Sequence, residues 1–333
     1  MKDRTPIFGS LMLVALFLIS TQVESNAGSL FGDDTPKELG RIEWMRDYEA
    51  AQARSTAEGK PIFLLFQEVP GCQTCVNFGE EVLSNALLIE AIEDEFIPLA
   101  ILNNKGGDDR RVLQQFEEPA WNNPVVRFVN ATGQDVIPRR DRVWRAGEIA
   151  DRMVQTLAKA DRPVPTYLSA LRDELSPQKI ETATLSMGCY WAGEACLGEL
   201  PGLLSSRTGD LGGREVVELR YDSTRLSYRE VLGHARSRDC ADGVFAHSDA
   251  QLSVATELFG PGARRASGLT RDASSRNQKF HLKRSKGLAN LELTPAQATK
   301  LNHSTWRQND PTPHLSPRQK RALTGGKNEL ATN

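Results

Sequence analysis

Six consecutive residues, Pro61-Ile62-Phe63-Leu64-Leu65-Phe66, are apolar without alternation, which is the signature of a buried strand. The chain then reaches Cys72-Gln73-Thr74-Cys75. A long stretch with helical apolar spacing follows, through Val82, Leu83, Leu87, Leu88, Ala91 and Ile92, and a second apolar run begins at Phe96. Strand, Cys-x-x-Cys, helix, strand is the context that gives an otherwise common motif its meaning. Two cysteines at i and i+3 on a helix start lie about 5 Å apart along the axis and face one side. That spacing suits a disulfide, and the helix N-terminus favours a thiolate. Cys72 and Cys75 are therefore expected to be a redox-active pair. No metal site is expected, because no second Cys or His pair lies in this half.

At 333 residues, the length predicts two domains. With 39% hydrophobic and 25% charged residues, the chain is neither a disordered polar polymer nor a membrane bundle. The five cysteines are too few for a disulfide scaffold, and the odd number points to reactive thiols. The net charge of −2 conceals a division: from residue 261 on, 14 Lys and Arg face 4 Asp and Glu, giving +10 and leaving −12 for the first 260 residues. Such a basic segment lies against an acidic domain, hangs in solvent, or meets an acidic partner or anionic surface. The scattered cations, without a repeated aromatic platform, argue against nucleic acid.

Met1 to Arg4 forms a short charged start, and Ile7 to Ile19 is an apolar run of signal-peptide length. Small residues at Ser25-Asn26-Ala27 place the expected cleavage near Ala27, which makes residues 1–27 a signal peptide and the mature protein periplasmic or secreted. An uncleaved run would act as an anchor. The mature chain is expected to have no transmembrane segment.

Over residues 41–161 the sequence resembles the thioredoxin-like superfamily. Besides Cys72 and Cys75, the block Asn123-Pro124-Val125-Val126-Arg127-Phe128-Val129, followed by Ala131-Thr132-Gly133-Gln134-Asp135-Val136, is similar to that family's strand opened by a cis proline and its Gly-containing hairpin. The resemblance implies that Pro124 is that proline. Cys-Gln-Thr-Cys departs from the family's Cys-Gly-Pro-Cys.

Residues 162–180, with Pro163, Pro165 and Ser176-Pro177, read as a linker. Residues 181–260 resemble the peptide methionine-(S)-sulfoxide reductase family, most specifically in Gly188-Cys189-Tyr190-Trp191. This resemblance implies an α/β sandwich with Cys189 as the nucleophile where a strand gives way to a helix. It also implies Glu215 as a buried proton donor, and Tyr190 and Trp191 as the methyl pocket. Thiolate attack, protonation of a departing oxygen and an aromatic wall are the functions that sulfoxide reduction needs. Almost nothing separates Gly212 from Glu215, where the family has an insertion. Gln251 can be matched to a later polar block, but Leu252 replaces its tyrosine, and its aspartate position reads as His247 or Asp249. Oxidised Cys189 needs a resolving thiol, and the candidates are Cys240 and Cys196. Cys240, in a loop-like stretch that the family places near its active site, is preferred. A helix would hold Cys196 about 10.5 Å from Cys189, so Cys196 is expected mainly to pack.

The expected architecture is α/β and α+β: a thioredoxin-like fold, a linker, a two-layer α/β sandwich, and a partly helical basic extension over 261–333. The expected function is reduction of methionine-(S)-sulfoxide in oxidised proteins or peptides by thiol/disulfide electron transfer without another cofactor, with the fused Cys72/Cys75 domain as electron donor and an upstream thiol reductant as partner. The rival reading is a thiol–disulfide oxidoreductase whose second domain is catalytically degenerate.

Overall fold

The computed structural model describes residues 36–328, so the expected signal peptide lies outside the described residues. Helix α1 (Tyr48–Glu58) starts where the Asp47 carboxylate accepts the Ala50 N–H at 2.8 Å, and strand β1 (Ile62–Gln67) follows it. Next come α2 (Gln73–Glu81), α3 (Ala86–Glu95), β2 (Ile97–Leu102), α4 (Asp108–Gln115), β3 (Val125–Val129) and α5 (Ala146–Lys159). The sheet order is β2-β1-β3, with β1 parallel to β2 and antiparallel to β3.

Strand β1 is apolar from Ile62 to Phe66 because both of its faces are covered. Phe63 and Leu65 join a core with Phe78, Leu88, Ile92, Ile149 and Met153, while Ile62, Leu64 and Phe66 join another with Tyr48, Val112 and Phe116. The single long helix expected after the cysteines is two helices. The apolar spacing runs on through residues 82–85, but Asn85 accepts the Leu88 N–H at 3.1 Å and starts a new helix. The expected Gly-containing hairpin is reduced to one bridge, between Val129 and Asp135.

Residues 162–180 are not a free linker. They contain α6 (Thr166–Leu175), whose Tyr167, Leu168 and Leu171 are buried in the first core. A contiguous apolar face of this kind has to be covered, and α5 covers it.

The second sheet is built from β4 (Ile180–Ser186), α7 (Tyr190–Leu197), β5 (Leu203–Leu211), β6 (Arg214–Asp222), α8 (Tyr228–Ser237), β7 (Gly243–Ala246), α9 (Asp249–Phe259), β8 (Ala263–Arg265) and β9 (Arg271–Asp272). Its order is β8-β7-β4-β6-β5-β9. Ala183, Leu185, Val217, Leu219 and Tyr221 face a core closed by Leu197, Val231, Leu232 and Ala255 of the helices, which gives one sheet layer and one helix layer. Both outermost strands come from beyond residue 260, so the expected domain edge there is not an edge of the sheet. Helix α10 (Pro295–Arg307) opens with a capping box between Thr294 and Gln297 and packs on β5 and α7. Helix α11 (Pro317–Asn328) closes the described chain. Arg318 pairs with Glu93 of α3, and its N–H donates to Glu90 at 3.1 Å, so part of the basic segment lies on acidic residues of the first half. No helix among the described residues is long and apolar enough to cross a membrane.

Candidate active site

Cys72 caps α2 and Cys75 lies one turn inside it, with their sulfurs 3.5 Å apart and both free. The loop that delivers them is tight. A side chain at Gly71 would put its Cβ 2.3 Å from the Glu68 carbonyl oxygen and 2.7 Å from the Cys75 Cβ. The buried Glu38 carboxylate holds that loop by accepting the Gly71 N–H at 2.7 Å.

The two thiols differ in environment. Cys72 is exposed, and hydrogen bonding from the Cys75 backbone N–H, then from the Cys75 and Thr74 side chains, outweighs desolvation and pulls its pKa below the ordinary thiol value. Cys75 is buried, and desolvation pushes its pKa up to about 12. Its sulfur donates to Asn123 Oδ1 at 2.8 Å, and the Asn123–Pro124 peptide is cis. The arrangement sets an exposed thiol that ionises more readily than an ordinary cysteine in front of a buried second thiol that holds its proton.

The second centre is assembled by a hairpin. Gly212 and Gly213, with φ of 60° and 75°, form a two-residue turn between β5 and β6. Both positions need positive φ, and Gly-Gly supplies it without steric cost. The turn brings Glu215 beside the end of β4, where the Met187 N–H donates to the Glu215 carbonyl at 3.1 Å. Two residues later Cys189 caps α7, and the Tyr190 N–H donates to Glu215 Oε2 at 2.7 Å. The carboxylate thus lies within about 5 Å of the Cys189 Cα by covalent geometry. Cys189 is exposed and free. Glu215 is exposed as well, so the burial expected for it is not provided by the protein: it stands at the rim of a two-residue turn with no insertion to cover it.

Tyr190 and Trp191 form a tilted pair with ring centroids 5.9 Å apart. Phe280 stacks on Trp191 at 3.9 Å and 15°, and Asn277 Nδ2 donates to the Tyr190 hydroxyl at 3.0 Å. Both Asn277 and Phe280 come from the basic extension, and sequence reasoning gave neither a role. Phe280 lies in the short apolar block Phe280-His281-Leu282, the one local signal that could have marked it as packed. Gln251 and His247 serve the scaffold: Gln251 binds the His247 N–H at 2.9 Å and the Thr182 carbonyl at 3.0 Å, while His247 Nε2 lies 2.8 Å from Thr184 Oγ1.

Cys196 and Cys240 are joined in a disulfide. Cys196, expected mainly to pack, is buried but also bonded to Cys240, the thiol preferred as the partner of Cys189. Helix α8 ends in a turn with Asp239 at φ 54°, and the Cys240 N–H bonds back to the Ala235 carbonyl at 2.8 Å, which directs Cys240 inward onto α7. One cavity of about 270 Å³ has Cys189, Cys196 and Cys240 among its lining residues. The fold also brings His234 to this pair, with ligand atoms of all three residues within 4.8 Å of one another, a set that could hold a metal with both sulfurs reduced.

Residues 43–131 match a family model described as thioredoxin-like. The chain is 32% identical over 73 residues to the peptide methionine sulfoxide reductase MsrA of Salinispora arenicola, covering 17% of this chain and 33% of that protein. It is 29% identical over 163 residues to the peptide methionine sulfoxide reductase of Drosophila melanogaster, covering 36% and 66%, and 36% identical over 69 residues to MsrA of Halobacterium salinarum, covering 16% and 39%. The chain thus spans between a third and two thirds of the length of these curated relatives. It joins a thioredoxin-like domain to a region similar to methionine sulfoxide reductases.

Proposed function

We propose that the chain is an exported peptide-methionine (S)-S-oxide reductase that works by thiol chemistry, with Cys72 and Cys75 as its electron donor. The observation that carries this reading is the 2.7 Å hydrogen bond from the Tyr190 N–H to Glu215, which fixes a carboxylate beside the exposed Cys189. The Cys189 thiolate attacks the sulfoxide sulfur, and Glu215 supplies the proton that the oxygen needs. The oxygen passes to Cys189. The substrate gains two electrons and becomes a thioether, and Cys189 becomes a sulfenic acid. Substrate bound against Tyr190 and Trp191 would cover the exposed Glu215 carboxyl and favour its protonated form.

Cys240 or Cys196, as a thiol, then displaces the hydroxyl of the sulfenic acid as water and forms a disulfide with Cys189. The other thiol attacks that bond, frees Cys189 and leaves Cys196–Cys240. That Cys189, Cys196 and Cys240 all line one cavity supports this relay. Cys72 attacks Cys196–Cys240, and Cys75 closes the Cys72–Cys75 disulfide, returning two electrons. An upstream thiol reductant resets the pair. The sequence balances with thiols alone, so no further cofactor is invoked. The apolar run Ile7 to Ile19 supports export to a periplasmic or external compartment.

The asymmetry between Cys72 and Cys75 also favours a second reading, a thiol–disulfide oxidoreductase whose second half only recognises substrates. The test is turnover of peptides carrying the S or R sulfoxide epimer by the full mature chain. The expected result is reduction of the S epimer alone, abolished by Cys189→Ser. Unchanged turnover in that variant would sink the proposal. Disulfide reduction without sulfoxide reduction would establish the second reading.

A further inference from the structure

Trp191, two residues after Cys189, lines a different cleft from the cavity that Cys189 lines. A cleft of about 780 Å³ is lined by Trp191, Asn277 and Phe280 together with Arg276, Lys283 and Arg284. No carboxylate lines it, and none of the three cations has an acidic partner among the described residues. By contrast, Arg265, Arg271 and Lys279 of the same segment are paired with Asp249, Asp210 and Glu194. Lys283 is turned to the Ser275 carbonyl, and the Arg284 guanidinium lies 3.5 Å from the Phe280 ring centroid, which stacks it on the aromatic that covers Trp191. Three like charges therefore gather around one aromatic wall that includes Trp191, two residues after Cys189, and no acidic group among the described residues answers their field.

We propose that this cleft is a binding site for acidic peptide segments, so that the protein selects methionine sulfoxide flanked by Asp or Glu. The inference rests on the reading of Cys189 as the reductase nucleophile, and it names the substrate class of that same site. The cleft begins where the substrate methyl would sit, against Trp191, and residues next to the sulfoxide extend into it. Two carboxylates of an extended peptide meet Arg276, Lys283 or Arg284 at the exposed rim. Contacts of this kind act mainly on capture and are screened by salt. The placement also assigns a role to three of the cations beyond residue 260 that have no acidic partner among the described residues.

The test uses the full mature chain and two peptides that differ only in carrying two Asp or two Gly on each side of the methionine. Turnover of the sulfoxide forms is expected to favour the acidic peptide about tenfold in kcat/KM at low salt, and the preference should collapse at high salt. In the triple variant Arg276→Glu, Lys283→Glu, Arg284→Glu the ratio of the two kcat/KM values should invert. A parallel arm measures, by fluorescence anisotropy with Cys189→Ser protein, binding of labelled peptides holding unoxidised methionine. It reads the cleft without chemistry: absence of turnover with both peptides would count against the reductase reading alone, while the binding ratio still judges the cleft. Equal binding of both peptides, a ratio untouched by salt or by the triple variant, or tighter binding of a single-stranded oligonucleotide would each overturn the proposal.

Discussion

Glu215 accepts a hydrogen bond of 2.7 Å from the backbone N–H of Tyr190, the residue directly after Cys189. The contact joins the start of β6 to the start of α7, and so ties the proposed proton donor to the backbone of the proposed nucleophile. In Glu215→Gln the amide oxygen still accepts the Tyr190 N–H, but the side chain no longer delivers an acidic proton. The expected result is a loss of kcat of about a hundredfold or more with stability held within roughly 1 kcal/mol. Steady-state turnover and urea unfolding of the same preparation check both halves of this statement.

What the sequence disclosed was local. The unbroken apolar run Ile62 to Phe66 announced a buried strand, because that signal is complete within a few residues. Cys189, Tyr190 and Glu215 were readable together through the motif blocks around them. The break between α2 and α3 was hidden because apolar spacing continues across it. The Cys196–Cys240 bond depends on a turn at Asp239, and the stacking of Phe280 on Trp191 joins residues far apart in the chain. Neither leaves a periodic trace. The burial expected at Glu215 failed for a related reason: a two-glycine turn is too short to cover the carboxylate it delivers.

The asymmetry of the first cysteine pair has a direct consequence in pH. Cys72 has its pKa lowered, chiefly by the Cys75 backbone N–H, so its thiolate persists to a lower pH than that of an ordinary cysteine. Cys75, with its pKa pushed up to about 12 by burial, stays protonated across the same range. Alkylation of the reduced protein by iodoacetamide, followed by mass spectrometry, should label Cys72 first, with its rate levelling off below the ordinary thiol pKa, while Cys75 remains unlabelled. Equal labelling of both would contradict the assignment of nucleophile and second thiol.

The Cys196–Cys240 disulfide closes a sequence separation of 44 residues. On the chain-entropy view, a loop of that length restricts the unfolded state by roughly 4 kcal/mol. Replacing both cysteines by alanine should therefore lower the unfolding free energy by about 2–4 kcal/mol in urea under oxidising conditions. Wild-type protein held in a strong reductant should lose a similar amount.

Asp222 gives an acid-side test. Burial alone would raise its pKa, but the backbone N–H of Gln178, the side chain and N–H of Thr224 and the N–H of Lys179 bring it down to about 2. A carboxyl depressed in the folded state from 3.8 contributes stability that is complete above the unfolded value and is lost as pH falls through about 2. Between pH 5 and 2 the urea midpoint of the wild type should fall more steeply than that of Asp222→Asn, and the two curves should converge at the acid end.

The basic extension is held to α7 by a buried ion pair. Glu194, fully buried, accepts from Lys279 Nζ at 2.7 Å, the Lys279 N–H at 2.9 Å and Ser206 Oγ at 2.9 Å. Lys279 adjoins Phe280, so the same anchor places the ring that stacks on Trp191. Lys279→Met leaves the Glu194 charge buried without a cationic partner and should cost about 3–5 kcal/mol, whereas Lys279→Met with Glu194→Gln should recover a good part of that loss. Urea unfolding of the two single variants and the double variant measures the coupling. Sulfoxide turnover in the double variant should fall through KM more than through kcat, because Phe280 loses its support while Cys189 and Glu215 keep theirs. A kcat loss as large as that of Glu215→Gln would mean that the anchor acts on the chemistry itself.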